Sequence, residues 1–449
     1  MNSKEEYRAP QWLRQKWELL EETEKRLTRG VNIISWPKLQ RIPHYMTERV
    51  EFRRYYEPQI LSLGPFHLAK RELLQGTPYK VAWTAMYVKH TNQPVKDLFQ
   101  RIHNHDLNLL KRSSEIYKDQ AEYETARVYG ELENLKDFLA WLLVLDGCSL
   151  LQLMEKSENL ENIEQELWIS IDKLVRVHQD VLILDNQIPF QVLRLLCNDE
   201  VRLEKCLHNF LQVHGIKTAP KLSEGNPIHL LDYLRKALLM RDLNTIHKEI
   251  EIKIDIQRRS LHLRRYRIGT IRELMAAGIR VRKHSHNSVY PTFKDGMLEL
   301  PELIVDGSTA HIFLNLVAYE MCPTFRNQLE ISSFLVFMSS LIDQPEDVKE
   351  LRLAGIIINE LASDKEVADL FNKMDSVLVP ETPLFAHIRD QIHTHFESKR
   401  GKIKILTWMG EAYNTFFRSP WTVIALLAAT LGLLLTFIQT WFAIHPTAS

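Results

Sequence analysis

Cysteine is scarce in this chain, and what there is does not pair. Cys148, Cys197, Cys206 and Cys322 are the only four in 449 residues, far apart among apolar neighbours and without a CxxC spacing. That argues against a disulfide framework and for a reducing compartment. An excess of one charge is also lacking, since 57 Lys and Arg face 57 Asp and Glu. A balanced chain has no bulk attraction for polyanions, so no nucleic-acid partner is expected. Glycine-rich phosphate loops and the GxSxG elbow are absent, which leaves phosphate cradles and nucleophile elbows without support. The first thirty residues are charged throughout, with no apolar core for a secretory signal. Trp12, Trp17, Leu19 and Leu20 predict an amphipathic helix there, docked on its own domain.

What is present begins at the far end, with "SPWTVIALLAATLGLLLTFIQTWFAIHPTAS". Trp421 to Ala443 carries no charged residue. As a helix it would reach roughly 34 Å, enough for a hydrocarbon core of about 30 Å. Ser419 suits an N-cap and Pro420 the first helical position, while Trp421 and Trp441 fit the two interfacial belts. The expectation is a single transmembrane helix over 419–443 with a short tail, 444–449, and the lipid bilayer as partner. Lys399, Arg400, Lys402, Lys404 and Arg418 precede it and no basic residue follows, which keeps the body cytoplasmic by the positive-inside rule. With six residues after Ala443, insertion is expected to follow synthesis. The location is then a membrane, the plasma membrane among the candidates. Ala425, Ala428, Ala429 and Gly432 place small residues at close-packing spacing, which points to a homodimer through this helix.

Upstream, apolar residues recur at helical spacing. The fold class predicted is mainly α-helical: a multi-helix body with a small antiparallel β element, plus the C-terminal membrane helix. Residues 1–39 form a charged, amphipathic leader and 40–418 the body, with a Gly, Pro and Ser-punctuated linker at 211–227. One helix includes Leu135, Phe138, Leu139, Leu142 and Leu145, with Gly147 as its expected interruption; another spans about Ile163 to Leu184. Short alternation in "IRVRKH", "YPTF" and "GMLELPELIVD" gives the β element. Capping boxes are expected at Thr270 with Glu273 and at Ser363 with Glu366.

One apolar run, "DVLILDNQIPFQVL", carries Asp185, Asn186 and Gln187 just before Ile188-Pro189. Ile188 is biased away from helical angles by the proline, and Pro189 can open a new helix. The reading is helix, polar break, helix, with the three side chains partnering freed backbone groups. A lone carboxylate is a poor acid–base site. The histidine clusters at His103 to Asp106, His284 to His286 and His393 to His395 lack metal-ligand spacing, so no metal and no cofactor is expected. The run "RRSLHLRRYRIGTIRELMAAGIRVRKH" has nine basic residues against one Glu and reads as a solvated, ion-paired face.

Taken in order, these motifs resemble the plant family called domain of unknown function 247. "YYEPQILSLGPFH" is similar to its N-terminal motif at Tyr56, Pro58, Gly64, Pro65 and His67. "LLVLDGCSLL" matches at Asp146, Gly147 and Cys148, and "LILDNQIPFQVL" at Leu184, Asn186, Gln187, Pro189 and Phe190. "RELMAAGIRVR", "FLNLVAYEMC", "DVKELRLAGIIINEL" and the terminal apolar run follow suit, over about residues 40 to 443. Departures are Asp185 where the family usually has Glu, Ser149 for Phe and Ser419 for Asn. The resemblance implies a plant-specific, mainly helical, membrane-anchored protein without an established catalytic activity. Some similar grass proteins are linked to pollen–stigma self-incompatibility, with small secreted stigma proteins as counterparts. Such a ligand is at odds with a cytoplasmic body. The leading expectation is a non-catalytic recognition or signalling protein with a protein partner. The alternative is a membrane-tethered enzyme built around His67 or the Asp185–Gln187 break.

Overall fold

A computed structural model describes residues 40–104, 135–158, 162–224, 226–239, 268–284, 289–322, 329–375, 378, 385, 388–396 and 420–444, besides Gln11. The expected amphipathic leader and the basic residues before the C-terminal helix lie outside them. So do the first ten residues of the basic run, 258–267, with His105 and Asp106, His286 and Ser419.

The N-terminal half is organised around one long helix. Two short turns, α1 (His44–Thr47) and α2 (Val50–Arg53), precede α3 (Thr77–Thr91) and α4 (Val95–Asn104). The long helix is α5 (Leu135–Lys156), and α3, α4, α8 (Phe190–Cys197) and α9 (Glu200–Val213) pack on it. Leu143, Val144, Leu150, Leu151, Leu153 and Met154 of α5 are almost wholly inaccessible. Each such side chain contributes about 1.5–3 kcal/mol by leaving water. Gly147 does not interrupt α5, contrary to expectation. A Cβ there would lie 2.4 Å from Leu196 Cδ1, so the glycine lets α8 approach closely.

The expected helix from Ile163 to Leu184 is divided into α6 (Ile163–Leu167) and α7 (Ile171–Asp180). Trp168 ends α6 in the left-handed region, at φ 51°. A 3₁₀ turn, Leu184–Asn186, then leads to Pro189, the N-cap of α8. Apolar spacing runs straight across the Trp168 break, which is why the sequence conceals it.

The C-terminal half of the body has α10 (Leu230–Leu238), α11 (Ile271–Ala276), α12 (Thr309–Glu320), α13 (Glu330–Leu341), α14 (Pro345–Leu353) and α15 (Asp364–Asp375). The Thr270–Glu273 capping box opens α11 with both reciprocal bonds, and Ser363 Oγ accepts from the Glu366 amide. Among the described residues the β structure is two small sheets, not one antiparallel element. Strand β1 (Arg280–Lys283) pairs parallel with β3 (Met297–Leu300), and β2 (Thr292–Lys294) pairs antiparallel with β3. Asp295 and Gly296, both at positive φ, make the tight β2–β3 hairpin turn. A second, parallel pair joins β4 (Leu303–Val305) to β5 (Ile357–Asn359). Pairing between strands so distant in the chain leaves no alternation to read.

One continuous hydrophobic core runs from Ile42 to Ile392 and includes both halves. Within the 211–227 stretch, Leu222 is buried, Tyr233 donates to the Pro220 carbonyl, and Lys217 pairs with Glu302. The last helix, α16 (Pro420–Ile444), has described side chains from Ala428 to Trp441, all exposed. Among the described residues, the helix long and apolar enough to cross a membrane by length and composition is Lys136–Lys156. It is mostly buried inside the body; Ala428–Trp441 counts as a shorter apolar helix.

Candidate functional site

Residues 57–67 belong to no regular helix or strand, so their backbone groups need partners from elsewhere. They find them in polar side chains carried on α3, α5, α7 and the 3₁₀ turn. Asp180, at the end of α7, accepts from the amides of Gln59, Ile60 and Leu61 at 2.8, 2.7 and 2.8 Å. Asn186 accepts from the Leu63 amide and donates to the carbonyls of Leu61 and Asp180. Asp146 on α5 accepts from the Gly64 amide at 2.7 Å, where φ is 64°. Lys80 on α3 donates to the Ser62 carbonyl and pairs with Asp146 at 2.7 Å, both side chains buried. The irregular segment is thus stapled along its length.

The rest of the polar triplet extends the pattern. Asp185 accepts from the Ile42 amide at 2.6 Å and stands 3.9 Å from Arg41. Gln187 donates to the carbonyls of Val181 and Ile183 and accepts from the Leu231 amide on α10. Asn315 of α12 donates to the Tyr55 carbonyl and accepts from the Leu184 amide. The three side chains therefore point to three segments: the 57–67 stretch, the chain before α1, and α10.

Electrostatics follows from burial. Desolvation raises Asp180 and Asp185 to about 6, against the hydrogen bonds that favour their anions. It also raises Asp146, opposed by Lys80 and Gly64. His67 is buried with neither ring nitrogen partnered, and desolvation, with Lys70 and Arg41 nearby, lowers it to about 3. It is neutral at physiological pH. Tyr56, Pro58 and Pro65 are buried beside it in the chain. Burial pushes the thiols of Cys148, Cys206 and Cys322 up to about 12, far from a reactive thiolate.

The polar atoms of this network are mostly spent on backbone, which is what a structural staple does. Asp185 is its least committed carboxylate. Among the described residues, no group of three or more His, Cys, Asp and Glu side chains is arranged to hold a metal. Several contributors were not singled out in the sequence. Asp180 lies in the quoted apolar run, and Lys80 shares a buried helical stripe with Trp83, Thr84 and Tyr87, so both left a signal. Asn315 stands inside the quoted "FLNLVAYEMC" motif, but its partners are 131 and 260 residues away, so the motif gave no hint of them.

A second buried charge cluster joins α10, α12 and α13. Arg235 pairs with Glu320 at 2.9 Å and Glu330 at 2.5 Å, while Glu320 also accepts from the Ile331 and Ser332 amides. Of the residues expected to anchor the chain, Trp441 is exposed and stacks with Phe437, and a Cβ on Gly432 would meet nothing within 4 Å. Trp421 lies in the first turn of α16.

These features define a mainly helical protein whose irregular N-terminal segment is held by polar side chains from its own helices. The chain belongs to the family DUF247, described as plant protein of unknown function, whose model matches residues 39–435. UPF0481 protein At3g47200 of Arabidopsis thaliana is 26% identical over 418 residues, covering 87% of this chain and 83% of that protein. Putative UPF0481 protein At3g02645 of the same plant is 22% identical over 485 residues, covering 86% of each. No solved structure matches the chain.

Proposed function

We propose that this protein is a membrane-tethered, non-catalytic recognition or signalling protein, held by α16, with its helical body as a protein-binding surface. The observation that carries the reading is α16 itself: 25 residues without a charge, with exposed leucines and aromatics from Leu431 to Trp441. Its threonines fit an apolar surrounding, since Thr436 and Thr440 donate to the carbonyls of Gly432 and Thr436. The basic residues before the helix favour a cytoplasmic body. Commitment of Asp146, Asp180, Asn186 and Gln187 to backbone supports a scaffold over a reaction centre. Alkaline carbonate extraction of the full chain from plant membranes should leave it in the pellet, and recovery in the supernatant would refute the tether. Protease protection, with a tag at each terminus, reads the topology.

Pairing of two copies through the Gly432 face is a further part of this reading. Gly432→Leu should weaken self-association in a membrane two-hybrid assay, and unchanged association would remove the dimer. A role in self-incompatibility, as in some similar grass proteins, would require the body to meet a secreted ligand, and an outward-facing body in the protection assay would favour it. The enzymatic alternative places chemistry at His67 and Asp185. Substituting either without loss of fold should then abolish a cellular function.

A further inference from the structure

Three aromatic rings meet where α7 comes against the end of α9. His178 of α7 stands 5.5 Å from His214, the C-cap of α9, between ring centroids, with an interplanar angle of 62°. Phe210 of α9 lies 5.8 Å from the first ring and 4.6 Å from the second. His178 is 5% exposed, and neither of its ring nitrogens has a hydrogen-bond partner. Nε2 of His214 is buried and unpartnered as well. Buried polar atoms are normally satisfied, so such orphans on two adjacent rings mark a shared place for a partner.

A proton is not that partner. Burial lowers the two rings to about 3 and about 4, so at neutral pH each is uncharged and keeps one nitrogen lone pair. Two lone pairs on adjacent buried rings are a donor set for a metal ion, and the geometry limits which ion. Metal–imidazole bonds are about 2.0 Å long, so an ion shared by two rings holds their centroids about 6 Å apart, close to the spacing here. Among the described residues, no third His, Cys, Asp or Glu joins the pair to form a metal-binding group. Zinc, which takes four ligands, is poorly served, and a divalent charge without a carboxylate is costly to bury. A monovalent, closed-shell ion of low coordination number meets both limits, and copper is well suited to imidazole. The Phe210 ring adds the attraction of a π face for a cation. His214 is half-buried in the turn that leads to Gly215, at φ 73°, which gives the ion a route from solvent.

We propose that His178 and His214 bind one copper(I) ion between α7 and α9, with Nε2 of His214 and one ring nitrogen of His178 as its ligands. Neutral imidazoles bind through their lone pairs, so no proton is released, and the ion ties two helices of the body together. Neither the family assignment nor the proposed tether implies such a site.

Anaerobic titration of the full chain in detergent, with copper(I) presented as its bicinchoninate complex and ascorbate as reductant, tests the site. One equivalent should pass to the protein and raise its thermal transition by several degrees. X-ray absorption of the loaded protein should show two nitrogen neighbours with imidazole scattering and no sulfur, which separates the pair from the four cysteines. Zinc(II) should not be retained through gel filtration. His178→Phe, which keeps a ring in the core, and His214→Gln should each weaken copper(I) binding about a hundredfold. Circular dichroism checks that both variants fold, and the absorption spectrum of the unsubstituted protein decides if neither does. The proposal is overturned by absence of uptake, by sulfur neighbours, by zinc(II) retained at the pair, or by folded variants that bind copper(I) as the unsubstituted protein does.

Discussion

Two apolar helices of similar length, α5 with 22 residues and α16 with 25, differ in what surrounds them. Helix α5 is wrapped by α3, α4, α8 and α9 and carries Asp146 at its middle, fully buried and paired with Lys80. Helix α16 carries no charge, and its described side chains are exposed. The lesson concerns where a polar group can be afforded. A helix enclosed by protein can hold a carboxylate, because neighbouring helices supply a counter-ion and a backbone amide. In α16 the hydroxyls of Thr436 and Thr440 turn back on the helix's own carbonyls, those of Gly432 and Thr436.

The sharpest way to break the comparison is to give α16 the charge that α5 tolerates. Replacing Leu433 and Leu434 together by Arg should disfavour insertion by about 5–7 kcal/mol, at about 2.5–3.5 kcal/mol for each central Arg. Carbonate extraction should then release the chain, while its thermal transition stays that of the unchanged protein. The converse experiment removes the counter-ion from α5. Lys80→Ala leaves Asp146 buried and alone and should destabilise the body by about 3–5 kcal/mol in urea unfolding, without releasing it from membranes.

Acidification separates the two helices by a third route. His178 and His67 are lowered to about 3, and His214, His229 and His311 to about 4, all chiefly by desolvation. Their folded pKa lies below the unfolded value of 6.5, so the stability linked to the neutral rings is complete above about 6.5. It is lost as pH falls from there towards 4. Asp180 and Asp185, raised to about 6, act oppositely: their ionisation opposes folding above 6, and that penalty is relieved below it. Five imidazoles outnumber these two carboxyls, and the raised Asp146 and Glu320 act in the same direction as the carboxyls. The body should therefore melt several degrees lower at pH 5 than at pH 7, with the outcome of carbonate extraction the same at both. His178→Phe should flatten that dependence. The smallest expected effect is Gly147→Ala, which presses a methyl against Leu196 at the α5–α8 contact and should cost about 1–3 kcal/mol.

Local rules made part of this architecture legible. The polar break before Pro189, the Thr270–Glu273 cap and the terminal apolar helix depend on residues within a few positions of one another. The family resemblance drew attention to Gly64, Asp146 and Asn186 together, but not to the bonds that join them. Lys80 shares an apolar helical stripe, but its carboxylate partner is 66 residues away, so the pair could not be read. The parallel pairing of β4 with β5 and the hold of Asn315 on Tyr55 were hidden for the same reason. At Trp168 the obstacle was different: a bulky residue in a left-handed turn ends a helix that periodicity would continue.

The stapled segment also sets a timetable for birth on the ribosome. Residues 59–61 emerge early, yet Asp180 follows about 120 positions later, and the Tyr55 carbonyl waits 260 positions for Asn315. At about 5–20 residues per second, that last wait is on the order of 13–50 seconds. During this interval the nascent amino-terminal half lacks the groups that would close it, so it is an obvious client for chaperones. Serial truncation from the carboxyl end should consequently yield no stable fragment until Asn315 is included.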